Sequence, residues 1–135
     1  MCFYIHPKHQ EKKIAKRDIV CYKYGRVTKA GNKFSPSCYT GFYYPFGEKV
    51  EQKGNRWPYI HTYRGFFPKR IEKGFHSYSN KKAIKGFTKR YYNIVKCIIP
   101  KGTEYFYDPK TKTYVSRALV VQEVIHSPSI SLWVK

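Results

Sequence analysis

Acidic residues are scarce in this chain of 135 residues, which has 8 aspartates and glutamates against 27 lysines and arginines and a formal net charge of +19. Such an excess of positive charge destabilises a compact chain by self-repulsion and favours anionic partners, either nucleotides or nucleic acid. No apolar run approaches the roughly 18 residues that a membrane span needs. The first residues lack the pattern of a secretory leader, so we expect a cytoplasmic protein with no membrane partner.

The chain also lacks the sequence motifs of the common enzyme and metal sites. It contains no P-loop, no GxGxxG, no HExxH and no adjacent pair of carboxylates. Its four cysteines form no CxxC pair and fit no standard zinc spacing. Cys2, His6 and His9 could reach one metal, but solvated histidines near a mobile terminus are the commoner explanation. We predict no metal, no cofactor and no catalytic residue, which favours a protein that is not an enzyme.

Aromatic residues are abundant, at 19% of the chain, and they favour strands over helices. Strand-like runs cover residues 19–24, 91–99 and 118–125, and the last of these reads as a central strand buried on both faces. A five-residue loop at 108–112 predicts a hairpin. The predicted core is mostly aliphatic and comes from these three runs: Ile19, Val20, Cys21, Ile94, Val95, Cys97, Ile98, Leu119, Val120, Val121, Val124 and Ile125.

One short helix is predicted over residues 79–87. Ser79 can cap its first turn, and Ala83, Ile84 and Phe87 lie on one face that must pack on a sheet. The sequence therefore predicts an α+β fold, a mainly antiparallel twisted sheet with one short helix packed on it. Residues 1–17 are predicted as a basic N-terminal arm and residues 18–135 as a single domain.

A basic segment surrounds the start of the predicted helix, with eight basic residues and one acidic residue between positions 69 and 90. Unpaired N–H groups and a partial positive charge at a helix start suit a phosphate. A solvated lysine face with an ordinary serine cap is an equally frequent explanation of such a segment. We favour a phosphate site made of hydroxyl, amide and imidazole groups with the neighbouring cations: His76, Ser77, Ser79, Asn80, Lys73, Lys81, Lys82 and Arg70.

Aromatic and basic residues alternate in a predicted loop that contains Arg56, Trp57 and Tyr59. Exposed rings beside cations hold nucleobases by stacking, so Trp57 or Tyr59 would stack on the base with Arg56 beside it. The same alternation is typical of any half-buried strand. The binding site predicted from sequence combines this loop with the basic segment.

The order of four short motifs resembles the ADP-ribosyltransferase fold across about residues 18–125. The strand over 19–24 carries Lys23, GFHSYS occupies positions 74–79 before the predicted helix, a strand covers 93–99, and IPKGT follows at 99–103. The resemblance implies an NAD-binding cleft with an Arg or His on the early strand and a catalytic Glu on a later one. Lys23 stands at the early position, and Glu104 and Glu123 are the acids nearest the later one.

The chain is also similar to small uncharacterised proteins of bacteriophages and other mobile elements, through its Met-Cys start, DIVCYK at 18–23, GFHSY and IPKGT. That resemblance implies a bacterial host cytoplasm and an anti-defence protein that captures a nucleotide immune signal. We predict a non-enzymatic binder that sequesters a phosphate-bearing nucleotide. A basic nucleic-acid-binding protein is the first alternative, and an ADP-ribosyltransferase-like enzyme that uses NAD is the second. The partner is an anionic nucleotide or nucleic acid, and a homo-oligomer is left open.

Overall fold

The computed structural model describes residues 3–5, 11–36, 43–53, 57, 60–62, 69–71, 74–84 and 86–128. Within these residues the chain forms two antiparallel sheets. The smaller sheet has the strand order β1-β8-β7, in which β1 is Phe3–Ile5, β7 is Ile60–Thr62 and β8 is Lys69–Ile71.

The larger sheet contains ten strands and dominates the structure. Its main path runs β2-β11-β12-β9-β3-β10-β13-β6, and β4 and β5 extend from β3. The ten strands are β2 (Lys13–Ile14), β3 (Ile19–Val27), β4 (Lys33–Pro36), β5 (Tyr44–Pro45), β6 (Lys49–Glu51), β9 (Phe75–Tyr78), β10 (Asn93–Ile99), β11 (Glu104–Asp108), β12 (Thr113–Ser116) and β13 (Ala118–His126).

The predicted α+β class is wrong, because the fold is essentially all-β. The helix predicted over 79–87 is replaced by one 3-10 turn, Lys81–Ala83, and by a six-residue helix α1, Gly86–Tyr91. Asn80, rather than Ser79, caps the 3-10 turn, and Ile84 ends the turn in an extended conformation. The extended backbone at Ile84 therefore interrupts the continuous helix that the sequence predicts.

Six strands of the larger sheet follow one another in a ring that the hydrogen-bond ladder leaves open between β5 and β6: β3, β4, β5, β6, β13 and β10. Adjacent members pair along the ladder, except that β5 and β6 are joined by a turn. In that turn the N–H of Gly47 donates to the carbonyl of Val121 at 2.8 Å, which ties the turn to β13. The ring encloses the main core, whose fully buried members include Phe34, Leu119 and Val121.

The strand prediction for 19–24 and the hairpin around 108–112 are confirmed by β3 and the pair β11–β12. The strand predicted over 91–99 is confirmed from Asn93 onward by β10, whereas Tyr91 belongs to α1. Lys13–Ile14 pairs with β11, so this part of the predicted N-terminal arm belongs to the sheet. The predicted boundary between an arm over residues 1–17 and a domain over residues 18–135 stays a prediction.

The predicted core is confirmed at Cys21, Ile94, Val95, Cys97, Leu119 and Val121, all of which are buried. It is wrong at Val20, Val124 and Ile125, which are exposed by 42%, 37% and 37%. Since β6 pairs only with the first residues of β13, the end of β13 has a neighbour on one side alone. Burial on both faces is therefore restricted to the start of that strand, and Ile98, Ile19 and Val120 are partly exposed.

Candidate functional site

The residues predicted to hold a phosphate lie on a strand and a turn. His76 and Ser77 belong to β9 and are buried, with exposures of 7% and 0%. Ser79 is half-buried, and its N–H donates to the carbonyl of Lys112 at 2.8 Å. Lys81 and Lys82 are exposed on the 3-10 turn. The predicted group is therefore divided between the interior and the surface.

The turn that follows β9 uses two of its backbone amides in internal hydrogen bonds. Asn80 Oδ1 accepts a hydrogen bond from the N–H of Ala83 at 2.9 Å, and the N–H of Ile84 donates to the carbonyl of Lys81 at 3.1 Å. These bonds satisfy amides that a helix start would have offered to a phosphate. Phosphate binding at this turn stays a prediction.

The predicted stacking residue Trp57 is buried rather than exposed, at 6% exposure. Its ring centroid lies 5.9 Å from that of Phe106, and the two side chains share a small core cluster with Val115. A ring packed in this way has no free face for a nucleobase. Arg56, Tyr59 and Lys73 lie outside the described residues, and Arg70 lies in β8, opposite Tyr4 and His61 in the neighbouring strands.

A lysine is buried at the centre of the larger sheet. Lys23, in β3, is 9% exposed, and its ammonium group donates to the backbone carbonyl of His76. The same Nζ lies 5.6 Å from the ring centroid of Tyr44, a cation–π distance. Lys23 occupies the position at which the ADP-ribosyltransferase resemblance implies an Arg or His. In this structure its ammonium group contacts other buried residues.

Burial beside Lys23 lowers the pKa of His76 to about 3, first because the charged imidazolium loses its hydration and second because Lys23 repels it. The unfolded chain binds a proton at its ordinary pKa of about 6.5. Between these two values the unfolded state holds more protons than the folded state, so the stability contributed by neutral His76 is lost as pH falls.

We expect the free energy of unfolding to fall by roughly 1.6 kcal/mol between pH 6.5 and pH 5, since the loss per pH unit rises from about 0.7 kcal/mol at the unfolded pKa toward about 1.4 kcal/mol below it. Urea denaturation of the wild type at both pH values measures this loss. The His76→Gln variant, which cannot titrate, should show a clearly smaller loss. Equal losses in the two proteins would show that His76 is not the group responsible.

A surface cleft of about 960 Å³ lies along the segment that precedes β3. It is lined by residues 11–14 and 16–20 together with Tyr105 and Tyr114, and we call it the basic cleft. The segment is held against the turn at 100–103 by the buried Ala15, which exchanges backbone hydrogen bonds with Thr103 and Gly102 at 2.9 and 2.8 Å. Asp18 Oδ1 accepts a third bond from the N–H of Lys101 at 2.9 Å.

The cations of the basic cleft fall into two groups. Lys12 forms an ion pair with Glu104 at 2.6 Å, and Arg117 approaches the same carboxylate at 3.3 Å. The hydrogen bond from Lys12 is the main cause that lowers the pKa of Glu104, and the charges of both cations add to it. Among the described residues no carboxylate lies within 4.0 Å of the exposed cations Lys13, Lys16 and Arg17.

The basic cleft also presents apolar and aromatic surface. Ile14 and Val20 are 60% and 42% exposed, large values for aliphatic side chains. The rings of Tyr105 and Tyr114 meet edge to face with centroids 5.8 Å apart, and the ring of Tyr107 lies 4.9 Å from that of Tyr114. A ligand with one apolar end and one anionic end matches this combination of surfaces.

The two acids that the ADP-ribosyltransferase resemblance points to occupy different surroundings. Glu104 is held by Lys12 and Arg117, as described above. Glu123 is exposed on β13, opposite Lys96 of β10. Neither arrangement brings Glu104 or Glu123 next to Lys23, which is buried on the central strand β3.

Sequence reasoning missed the basic cleft, although a signal for it was present. Residues 1–33 hold nine basic and two acidic residues, and the exposed cations of the cleft belong to that stretch. The described residues contain no group of three His, Cys, Asp or Glu side chains that could hold a metal ion. Cys2, His6 and His9 lie outside the described residues.

Comparisons with protein-family models, with curated proteins and with solved structures find no match to this chain. Across the part of the chain that the structure describes, no helix has the length and apolar character needed to cross a membrane. Function must therefore be argued from the basic cleft itself.

Proposed function

We propose that this protein is a non-enzymatic binder that captures a phosphate-bearing nucleotide in the basic cleft, in the cytoplasm of a bacterial host. The observation that carries the proposal is the meeting, in one cleft, of cations that have no partner among the described carboxylates with partly exposed tyrosine rings and exposed aliphatic side chains. Lys13, Lys16 and Arg17 supply charge for phosphate groups. Tyr105 and Tyr114 supply rings against which a base can pack.

The size of the basic cleft supports a ligand as large as a nucleotide. Small-molecule sites range from about 300 to 1,000 Å³, and the cleft is near the upper end of that range at about 960 Å³. Its charge supports an anion, because the ion pair that holds Glu104 leaves three other cations with no partner among the described carboxylates. Burial of those three charges against phosphates would replace water with charge-assisted hydrogen bonds.

The acids at the cleft are Glu11 and Asp18, which line it, and Glu104 beside it. Capture without turnover is supported by the surroundings of two of them. Glu104 has a lowered pKa because Lys12 donates a hydrogen bond to it, and a carboxylate stabilised in this way is a poor proton acceptor. Asp18 is engaged by the backbone N–H of Lys101. Sequestration of a nucleotide immune signal by a phage-encoded protein is the biological role that we propose for such a binder.

The deciding experiment combines ligand release with salt dependence. Protein purified from a bacterial host is denatured, and the released small molecules are identified by mass spectrometry; we expect a nucleotide. Binding of adenosine diphosphate and of a labelled single-stranded oligonucleotide is then measured by titration at about 50 and 200 mM salt. A site for a few phosphates should lose roughly tenfold in affinity, whereas a nucleic-acid site that neutralises six or more phosphates should lose about a thousandfold.

Each result of this experiment has a defined meaning. Retention of a nucleotide with a shallow salt dependence supports the proposal. Tight binding of the oligonucleotide with a steep salt dependence replaces it with a nucleic-acid-binding function. Absence of both bound nucleotide and oligonucleotide binding would refute the assignment of the basic cleft as an anion site.

A further inference from the structure

Two cysteines face each other inside the ring of strands. Cys21 in β3 and Cys97 in β10 are direct partners in the antiparallel register, and both have an exposure of 0%. Both are free thiols in the structure. They are far apart in sequence, and the pairing of the two central strands brings them together.

The register gives this pair a geometry that suits a disulfide. Opposed residues in an antiparallel ladder have Cα atoms about 4.5–5.5 Å apart. Disulfides require Cα separations of about 4.4–6.8 Å, and the whole range of the ladder falls within these limits. The register therefore places the Cα atoms of Cys21 and Cys97 within disulfide range.

The surroundings make the two thiols chemically unequal. Burial raises the pKa of Cys21, but hydrogen bonds from Cys97 and Ser77 and the positive charge of Lys23 outweigh burial and lower it. Burial, first, and then the hydrogen bond and negative charge of Cys21 raise the pKa of Cys97. A thiolate is the nucleophile in thiol oxidation, so Cys21 is the attacking sulfur and Cys97 is the resolving one.

We propose that Cys21 and Cys97 form a reversible disulfide when local opening of the sheet admits a small two-electron oxidant of the peroxide class. The Cys21 sulfur attacks one oxygen of hydrogen peroxide; the S–O bond forms, the O–O bond breaks, and water leaves with the thiol proton. The Cys97 sulfur then attacks the Cys21 sulfenic acid; the S–S bond forms, the S–O bond breaks, and a second water leaves with the Cys97 proton. A dithiol reductant reverses the reaction.

The disulfide would fasten the two central strands of the larger sheet, β3 and β10. Ile19 and Val20, on β3, form part of the basic cleft. Oxidation would thus fix the strand that forms one wall of the cleft. A cross-link that closes so long a stretch of chain restricts the unfolded state strongly and stabilises the fold.

The test uses a Cys2→Ser/Cys38→Ser protein, which keeps only the two buried thiols. After hydrogen peroxide treatment we expect its mass to fall by two hydrogen atoms and both thiols to become unreactive in denaturant. We also expect one cross-linked peptide pair and a rise in Tm of about 5 °C or more. Dithiothreitol should restore the original mass and Tm.

The matched control is the same protein with Cys97→Ser, in which peroxide can add oxygen to Cys21 but cannot form the cross-link. Two reactive thiols after peroxide, or addition of oxygen to Cys21 without loss of hydrogen in the two-thiol protein, would overturn the proposal. Peptide mapping of the peroxide-treated wild-type chain gives the same answer should the double variant fold poorly. In that map a Cys21–Cys97 peptide supports the disulfide, and its absence overturns it.

Discussion

Reversal of the charges of Lys13, Lys16 and Arg17 to glutamate is expected to weaken nucleotide binding by the basic cleft at least about a hundredfold. Each of these cations is exposed and none has a carboxylate partner among the described residues. Replacement with glutamate removes an attraction to phosphate and adds a repulsion, and a loss of about 2.7 kcal/mol in total is already a hundredfold. Titration with adenosine diphosphate at low salt measures the change.

The matched control reverses the charges of Lys81, Lys82 and Arg90, which are also two lysines and an arginine with exposed side chains. Both triple variants change the net charge by the same amount, so long-range electrostatic effects are equal. Lys81 and Lys82 also belong to the phosphate site predicted from sequence. Loss of binding in the control variant alone would place the site beside β9 and would refute the assignment to the basic cleft.

Ile99→Ala is expected to lower the free energy of unfolding by about 2–5 kcal/mol, because Ile99 is 0% exposed and its removal leaves a cavity in the main core. Ile98→Ala deletes the same atoms one residue earlier on the opposite face of β10, where the side chain is partly exposed. That variant should lose about 1 kcal/mol. Urea denaturation of both proteins gives the two values.

This pair of variants tests the direction in which β10 faces. Successive side chains of a strand point to opposite faces, so Ile98 and Ile99 cannot both belong to the enclosed core. The larger loss at Ile98 would mean that β10 is turned over relative to the structure. Equal and small losses at both positions would remove β10 from the core.

Strand positions were predictable from sequence where local preference and tertiary packing agree. β10 is rich in β-branched residues between Tyr92 and Pro100, and β11 and β12 are separated by residues suited to a turn. Which face of each strand is buried was harder to predict from sequence. Ile98 and Ile99 are chemically identical, and only the pairing of β10 with β3 and β13 decides which one is enclosed.

The helix failed as a prediction for a related reason. Ser79, Ala83 and Ile84 carry genuine helix signals, yet β9 continues through Tyr78, and Ser79 N–H bonds to Lys112 in the hairpin turn. That hydrogen bond depends on a part of the chain distant in sequence. Tertiary hydrogen bonding therefore overrides a modest local propensity.

The basic cleft could not be predicted from sequence, because it is formed by pairing between strands that are far apart in the chain. Lys13 enters the basic cleft through the register of β2 with Tyr105 of β11. Trp57 packs against Phe106, and the sequence of the loop around Trp57 does not predict this contact. The charge of residues 1–33 was visible in the sequence, but its position beside two tyrosines was not.

The ring of strands has a consequence for how this chain is made. Its ladder joins β3 near the start of the described chain to β10, and β10 to β13, which ends at His126. A ribosome must therefore deliver nearly the whole sequence before the ring can form, and until then β3 presents unpaired backbone edges and the apolar residues Ile19, Val20 and Cys21 to the cell. Such non-local order slows folding and exposes the nascent chain to aggregation. We therefore expect the pairing of β10 with β3 and β13 to be a late step in the folding of this chain.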